Sequence, residues 1–291
     1  MIRFGPGGIP LSTTDVKIDG KKLPLRESAI YRLEELNLQH MEVEFVYGVR
    51  IKKEDAIELG RLAEEKDISL TTHGPYYINL ASLEQEKQEA SIERVYKTLW
   101  AGQLMKAKSV TFHPAFYQGR TPELIRPIIL EGIIKAIEKV GDIENAPLLS
   151  IETTGKPSQW GEINEIVSLA AEVNNKLKRT SVGVCLDFAH LQARTNGRIN
   201  GYEDSIELLN IIEKVLGRRA LDSLHMHISG INYNEKGERN HLILEKSELK
   251  YKEIIQAIID KEVSGWLVCE SPNLEEDARL LKETYKKLGG K

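Results

Sequence analysis

Eight short apolar runs, each followed by a longer stretch of helical periodicity, constrain this 291-residue chain more than any other feature. The runs cover residues 2–5, 41–45, 69–73, 109–113, 148–152, 182–187, 223–229 and 265–270. Most are rich in Val, Ile, Leu, Phe or Thr, as suits strands buried on both faces of a parallel sheet. Between them Ile163, Ile166, Val167, Ala170 and Ala171 recur at the spacing of one helix face. Ala56, Leu59, Leu62 and Ala63 make a similar stripe, as do Ile254, Ile255, Ile258 and Ile259. Thr121-Pro122 marks a helix start, a capping residue type followed by proline at the first helical position. Eight strand–helix units predict an α/β fold of one domain over residues 1–291, a (β/α)8 TIM barrel in preference to an open doubly wound sheet. The turn after the first run, Pro6-Gly7-Gly8-Ile9-Pro10, is no G-x-G-x-x-G phosphate fingerprint. Residues 230–241 read as a long irregular loop, and such loops in compact domains usually carry function.

Barrels of this kind build their active sites at the C-terminal ends of the strands. Six of the eight runs carry a possible metal ligand there: His73, His113, Glu152, Asp187, His227 and Glu270. Their separations, 40, 39, 35, 40 and 43 residues, are each close to one strand–helix unit, so the six share a height on the rim. His190, three residues after Asp187, makes a seventh candidate. Taken singly, a strand histidine is more often a hydrogen-bonded core residue, and a strand-end carboxylate a helix cap or ion-pair partner. Jointly the pattern differs: four of the seven histidines fall at or beside these positions, with His225 and His241 close by in sequence. Imidazoles and carboxylates crowded into one pocket need compensating charge, which a divalent metal supplies. The donors suit Zn2+, with Mn2+ or Fe2+ as alternatives, and exceed what one tetrahedral ion takes. At least two metals are therefore expected, bridged by Glu152 or Glu270, which are also the catalytic candidates.

Other residues have two readings each. Glu42 and Glu44 share a strand face, either beside the metals or, the favoured reading, in ion pairs lower in the barrel. His225 shares the face of His227 one layer deeper and reads as a core histidine. Arg239 and Lys236 could grip phosphate or simply be solvated. Trp160 and Tyr233 could touch substrate or pack beneath a loop.

Composition narrows the function classes. Forty Lys and Arg against 44 Asp and Glu leave a formal charge of −4, without the basic surplus of a general nucleic-acid binder. Bound divalent cations would add local positive charge to that count. No apolar stretch reaches the ~18 residues of a membrane span, and the N-terminus enters a strand-like run with no room for a signal peptide. Cys185 and Cys269 lie inside apolar runs and read as reduced core residues of a cytoplasmic protein.

The segments around these ligands resemble endonuclease IV. They are Thr72-His73-Gly74-Pro75-Tyr76-Tyr77-Ile78-Asn79-Leu80-Ala81-Ser82, Phe112-His113-Pro114, Ile151-Glu152-Thr153-Thr154-Gly155, Val184-Cys185-Leu186-Asp187-Phe188-Ala189-His190, Met226-His227-Ile228-Ser229 and Cys269-Glu270-Ser271-Pro272-Asn273. That family comprises apurinic/apyrimidinic (AP) endonucleases on a (β/α)8 barrel with three zinc ions, and the likeness runs from about residue 70 to the end. It implies that His73, His113 and Glu152 hold one metal. Glu152, Asp187, His227 and Glu270 would hold a second, and His190 would belong to a third. It further implies damaged double-stranded DNA as substrate, Tyr76 inserted where the abasic nucleotide is extruded, and water attack on the phosphodiester 5′ to the lesion. A monomer is expected. Departures occur where the family carries Asp-x-His for the third metal: here Gly237-Glu238-Arg239-Asn240-His241 puts Glu238 at the Asp and His241 one residue late. Such an offset is recoverable on a loop and is expected not to be on a strand. Residues 156–160 and 191–194 also differ, and the first 65 residues match poorly. The alternative is a metal-dependent sugar isomerase or epimerase resembling xylose isomerase, for which Glu152, Asp187, His227 and Glu270 alone would suffice. A third reading, a binding protein on a decayed barrel, is disfavoured by the intact set of ligands.

Overall fold

The computed structural model describes residues 1–142 and 144–290. Lys291, the last residue of the charged run that begins at Lys282, lies outside the described residues. Eight parallel strands form the central sheet: β1 (Ile2–Pro6), β2 (His40–Glu44), β3 (Ser69–His73), β4 (Ser109–Phe112), β5 (Leu148–Glu152), β6 (Val182–Asp187), β7 (Leu224–Ile228) and β8 (Gly265–Cys269). Each strand is hydrogen-bonded to its sequence neighbour from β2 to β8, and β8 pairs with β1. The seam between β1 and β2 is closed by Gly8 N donating to Glu42 O and Gln39 N to Phe4 O, with a parallel bridge at Gly7 and Glu42. A Cβ on Gly5 would stand 1.8 Å from His40 O, so only glycine lets the two backbones meet there. The expected barrel is present, with each strand bound within one residue of its expected position.

Nine helices surround the sheet among the described residues: α1 (Leu25–Glu35), α2 (Lys53–Glu65), α3 (Gln85–Leu104), α4 (Pro122–Val140), α5 (Ile163–Leu177), α6 (Phe188–Arg194), α7 (Tyr202–Leu216), α8 (Tyr251–Asp260) and α9 (Glu275–Lys287). The stripes seen in sequence are their buried faces: Ile166, Val167 and Ala170 on α5 and Ile254, Ile255 and Ile258 on α8 are at most 1% exposed. Each fully buried Ile contributes roughly 1.5–3 kcal/mol. Proline sits at the start of α4 as expected, although the Thr121 side chain makes no capping hydrogen bond. Cys185 and Cys269 are buried and free. Among the described residues no helix is long and apolar enough to cross a membrane.

The stretch 230–241 is a β-hairpin and not the irregular loop expected: Gly230–Asn234 pairs antiparallel with Gly237–Leu242. Asn232 pairs with Asn240 and Tyr233 with Glu238, so Arg239 is an extra, unpaired residue, a β-bulge. Periodicity could not show this, because two bulged strands of mixed polarity carry no clean alternation.

The barrel interior departs from the usual packing of branched apolar side chains. His40, Glu42, Ser69, Thr71, Ser109, Thr111, Ser150 and His225 are all buried. His225 Nδ1 on β7 lies 3.1 Å from Ser109 Oγ on β4, which only a path through the interior allows.

Candidate metal centre

The structure brings the six strand-end candidates and His190 together at the rim. Glu152, at the end of β5 and fully buried, lies at the centre. Its Oε2 is 2.9 Å from His73 Nε2, and its Oε1 is 3.2 Å from His113 Nε2, 3.1 Å from His190 Nδ1 and 3.3 Å from His227 Nδ1. His227 Nδ1 is also 3.3 Å from Glu270 Oε1 and 3.8 Å from Asp187 Oδ2. Asp187 Oδ1 caps α6 by accepting from His190 N at 2.7 Å, which turns Oδ2 into the pocket. His190 Nε2 is 3.5 Å from Glu238 Oε2 on the hairpin.

Among the described residues five groups are compact enough for one cation, and three of them are made of the expected ligands: His73, His113 and Glu152; Glu152, Asp187, His227 and Glu270; and His190, Glu238 and His241. The other two, Cys185 with His225 and His227, and Glu42 with Glu44 and Glu270, reuse His227 and Glu270. The third group exists because of the bulge. Glu238 and His241 are three apart, an odd spacing that would put them on opposite faces of a regular strand. The extra residue at Arg239 restores them to one face, so the offset is recovered on a strand after all, contrary to the expectation. Gly155 leaves room for the approach: a Cβ there would meet Glu238 Oε2 at 2.6 Å and His190 Cδ2 at 2.9 Å.

The donors fit a metal on two counts. His113 Nε2, Glu152 Oε1, Asp187 Oδ2, His227 Nδ1 and Glu270 Oε2 are buried atoms without a hydrogen-bond partner, a cost that native cores avoid and that cations would relieve. In addition, His73, His190 and His241 each place Nδ1 against a backbone carbonyl, of Gly74 at 2.7 Å, Thr153 at 3.0 Å and Glu270 at 3.0 Å. Donation from Nδ1 leaves Nε2 of each ring free to face the pocket.

Without metal the site is a knot of opposed charges. Burial disfavours a charged His73, but the Glu44 and Glu152 carboxylates outweigh it and raise the ring to about 10. His190 and His227 are raised well above the ordinary histidine range against the same burial, His190 chiefly by Asp187. Burial works to raise Glu270, yet the neighbouring His227 holds it down at about 2. Burial pushes Asp187 up to about 6, with His190 opposing.

A cavity of about 320 Å3 opens onto these groups, lined also by Tyr76, Phe116, Lys156 and Gln159. Tyr76 stands 54% exposed at the mouth, its ring 5.7 Å from that of His73 and 6.4 Å from that of His113. Arg239 is exposed on the bulge and does not line this cavity. Trp160 is fully buried, and the Tyr233 hydroxyl bonds Glu248 at 3.2 Å, so both take the packing reading. Glu42 and Glu44 part company. Glu42 is buried in ion pairs beneath the rim, while the carboxylate of Glu44, raised to about 8 by burial, lies near Glu270. Sequence reasoning did not find Gly155 or Gln159 as parts of the site; the Thr-Thr-Gly turn after Glu152 was the available signal.

Residues 30–288 match the family described as xylose isomerase-like TIM barrel. The chain is 38% identical over 289 residues to an uncharacterised protein of Methanocaldococcus jannaschii, covering 99% of this chain and 98% of that one. It is 30% identical over 204 residues to a probable endonuclease 4 of Halothermothrix orenii, covering 67% of this chain and 70% of the relative. The crystal structure of endonuclease IV from Thermus thermophilus superposes with a TM-score of 0.70 at 19% identity, covering 90% of this chain and 93% of that one. A D-psicose 3-epimerase superposes at 0.66 and 17% identity, covering 98% and 100%. The eight-stranded closed sheet, the rim of histidines and carboxylates and these similarities together place the chain in the xylose isomerase-like TIM-barrel family, as a relative of endonuclease 4.

Proposed function

We propose that this protein is a metal-dependent AP endonuclease, hydrolysing the phosphodiester 5′ to an abasic site in duplex DNA. The observation that carries the reading is the third donor group, His190, Glu238 and His241, standing beside two groups that share Glu152. A sugar epimerase would need only Glu152, Asp187, His227 and Glu270. The similarity to a probable endonuclease 4 of Halothermothrix orenii supports the same choice. Divalent metal, Zn2+ or Mn2+ by the chemistry of the donors, would polarise the phosphate and supply hydroxide at neutral pH.

The chain's own residues do the rest. Glu152 would help hold metal at both of the first two positions, with Glu270 on the other side of His227. Lys156 is the cation at the wall of the cavity and would meet a phosphate. Tyr76, exposed at the mouth, would fill the gap left by an extruded abasic nucleotide, whose missing base makes extrusion inexpensive. Incubation with a duplex carrying one abasic analogue tests this. Incision 5′ to the lesion that stops with chelator and returns with zinc or manganese is expected, and no incision after metal is restored refutes it.

A second reading has its own support. A cavity of about 320 Å3 is large enough for a monosaccharide, and the four-residue group is self-contained. One bound manganese per chain, with epimerisation of a ketose, would establish it in place of the first.

A further inference from the structure

His227 is oriented unlike the other rim histidines that have a second partner. His73, His190 and His241 set Nδ1 against a backbone carbonyl, that of His190 also 3.1 Å from Glu152 and Asp187, and turn Nε2 to the pocket. His227 turns Nδ1 to the carboxylates of Glu152 and Glu270 and sends Nε2 down into the barrel, 3.0 Å from Glu42 Oε1. Among the described residues no backbone carbonyl bonds that nitrogen; its neighbours are the Glu42 carboxylate and, at 3.3 Å, His225 Nε2, so the carboxylate takes the place the main chain fills elsewhere.

Glu42 collects more than this one contact. Thr71 Oγ1 donates to its Oε2 at 2.8 Å, and His225 Nε2 lies 2.9 Å from the same oxygen. Behind Thr71 stands His40, with Nε2 at 3.0 Å from the Thr71 hydroxyl and Nδ1 at 2.9 Å from Ser69 Oγ. Behind His225 stands Ser109 at 3.1 Å, itself 2.7 Å from Ser150 Oγ. One assignment of protons runs through these contacts, with Nε2 of His225 and Nε2 of His227, 3.3 Å apart, each nearer to its own oxygen of Glu42. Ser69 donates to His40, His40 to Thr71 and Thr71 to Glu42; Ser150 donates to Ser109, Ser109 to His225 and His225 to Glu42. Both lines of donors end on the same carboxylate. A fully buried carboxylate is a costly filler where a barrel normally packs aliphatic side chains.

We propose that Glu42, supported by Thr71 and His225, is a positioning residue for the metal centre: it accepts the Nε2 proton of His227 and so presents Nδ1 of that ring to the pocket. A carboxylate behind a ligating imidazole fixes the tautomer and ring orientation and raises the basicity of the nitrogen that binds metal. The inference rests on the metal reading above, and the test separates the two. Zinc binding to the metal-free full-length protein is measured for the wild type, Glu42→Gln and Thr71→Val, beside the thermal melting of each metal-free form. Glu42→Gln puts an amide N–H where three donors converge, so zinc affinity falls roughly 10–100-fold, the usual loss when such a partner is removed. Thr71→Val keeps the carboxylate and loses less than Glu42→Gln. Independently of any variant, the imidazole 15N spectrum of the zinc-loaded wild type shows His227 protonated at Nε2. The proposal is overturned if Glu42→Gln lowers only the melting temperature while binding zinc as the wild type does, which is the outcome of a structural role. It is equally overturned if His227 carries its proton on Nδ1. A wild type that takes up no metal refutes the metal reading and this inference together.

Discussion

At the scale of single residues, the rim shows how differently buried groups of one chemical kind can be used. Glu152 serves two of the three groups, so its loss should be felt in both. Glu152→Ala is expected to release at least two ions per chain, read by elemental analysis, and to abolish incision. His241→Ala touches only the third group and should lower the count by one. Protonation competes with metal at the same atoms. His73, raised from 6.5 to about 10 in the metal-free fold, stabilises that fold fully below about pH 6.5, and the contribution fades as pH rises through 10. Glu270, lowered from 4.5 to about 2, stabilises it above about pH 4.5 and stops doing so as pH falls through 2. Metal uptake must expel the histidine protons, so apparent affinity should increase from pH 6 to pH 9 with proton release, measurable by titration calorimetry in buffers of different ionisation enthalpy. An affinity that is flat over this range would show that His73 does not bind metal. The six strand-end candidates were legible in the sequence because one strand–helix unit separates neighbours, and His190 because it follows Asp187 by three residues. The ion pairs of Glu42 and the buried place of His225 were the favoured readings, but that the two meet each other was not legible, because it depends on contacts across the barrel, here β2 to β7.

At the scale of elements, the hairpin over Gly230–Asn234 and Gly237–Leu242 decides whether the third group exists. Deleting Arg239 should leave a regular hairpin, turn His241 away from Glu238 and cost one metal per chain, with the hairpin itself intact by amide exchange. Retention of the full metal count would show that the bulge is dispensable. Gly155→Ala acts on the same group from the other side, by contact with Glu238 and His190. Strand positions were readable to within a residue because β-branched and aliphatic runs are short and well separated. The hairpin was not, because its signal is the placement of one unpaired residue, which no periodicity records.

At the scale of the whole molecule, the metal centre links six of the eight strands or the turns that follow them, so its occupancy should govern global stability. Free zinc at about a thousand times its dissociation constant would add about 4 kcal/mol. In a domain of this size that is a rise in melting temperature on the order of 10 °C, reversed by chelator. No shift by scanning calorimetry would count against metal at these groups. The polar interior beneath the centre has a different consequence, for how the chain can be divided. Many barrels could be cut between the fourth and fifth strands with each half keeping an oily surface to bury. Here the cut would part Glu42, Thr71 and Ser109 from Ser150 and His225, stranding a carboxylate and two hydroxyls in one fragment and an imidazole in the other. The two fragments should gain full order only when mixed. Closure of this barrel is tied to polar partners that meet across the ring, His225 with Glu42 and His225 with Ser109.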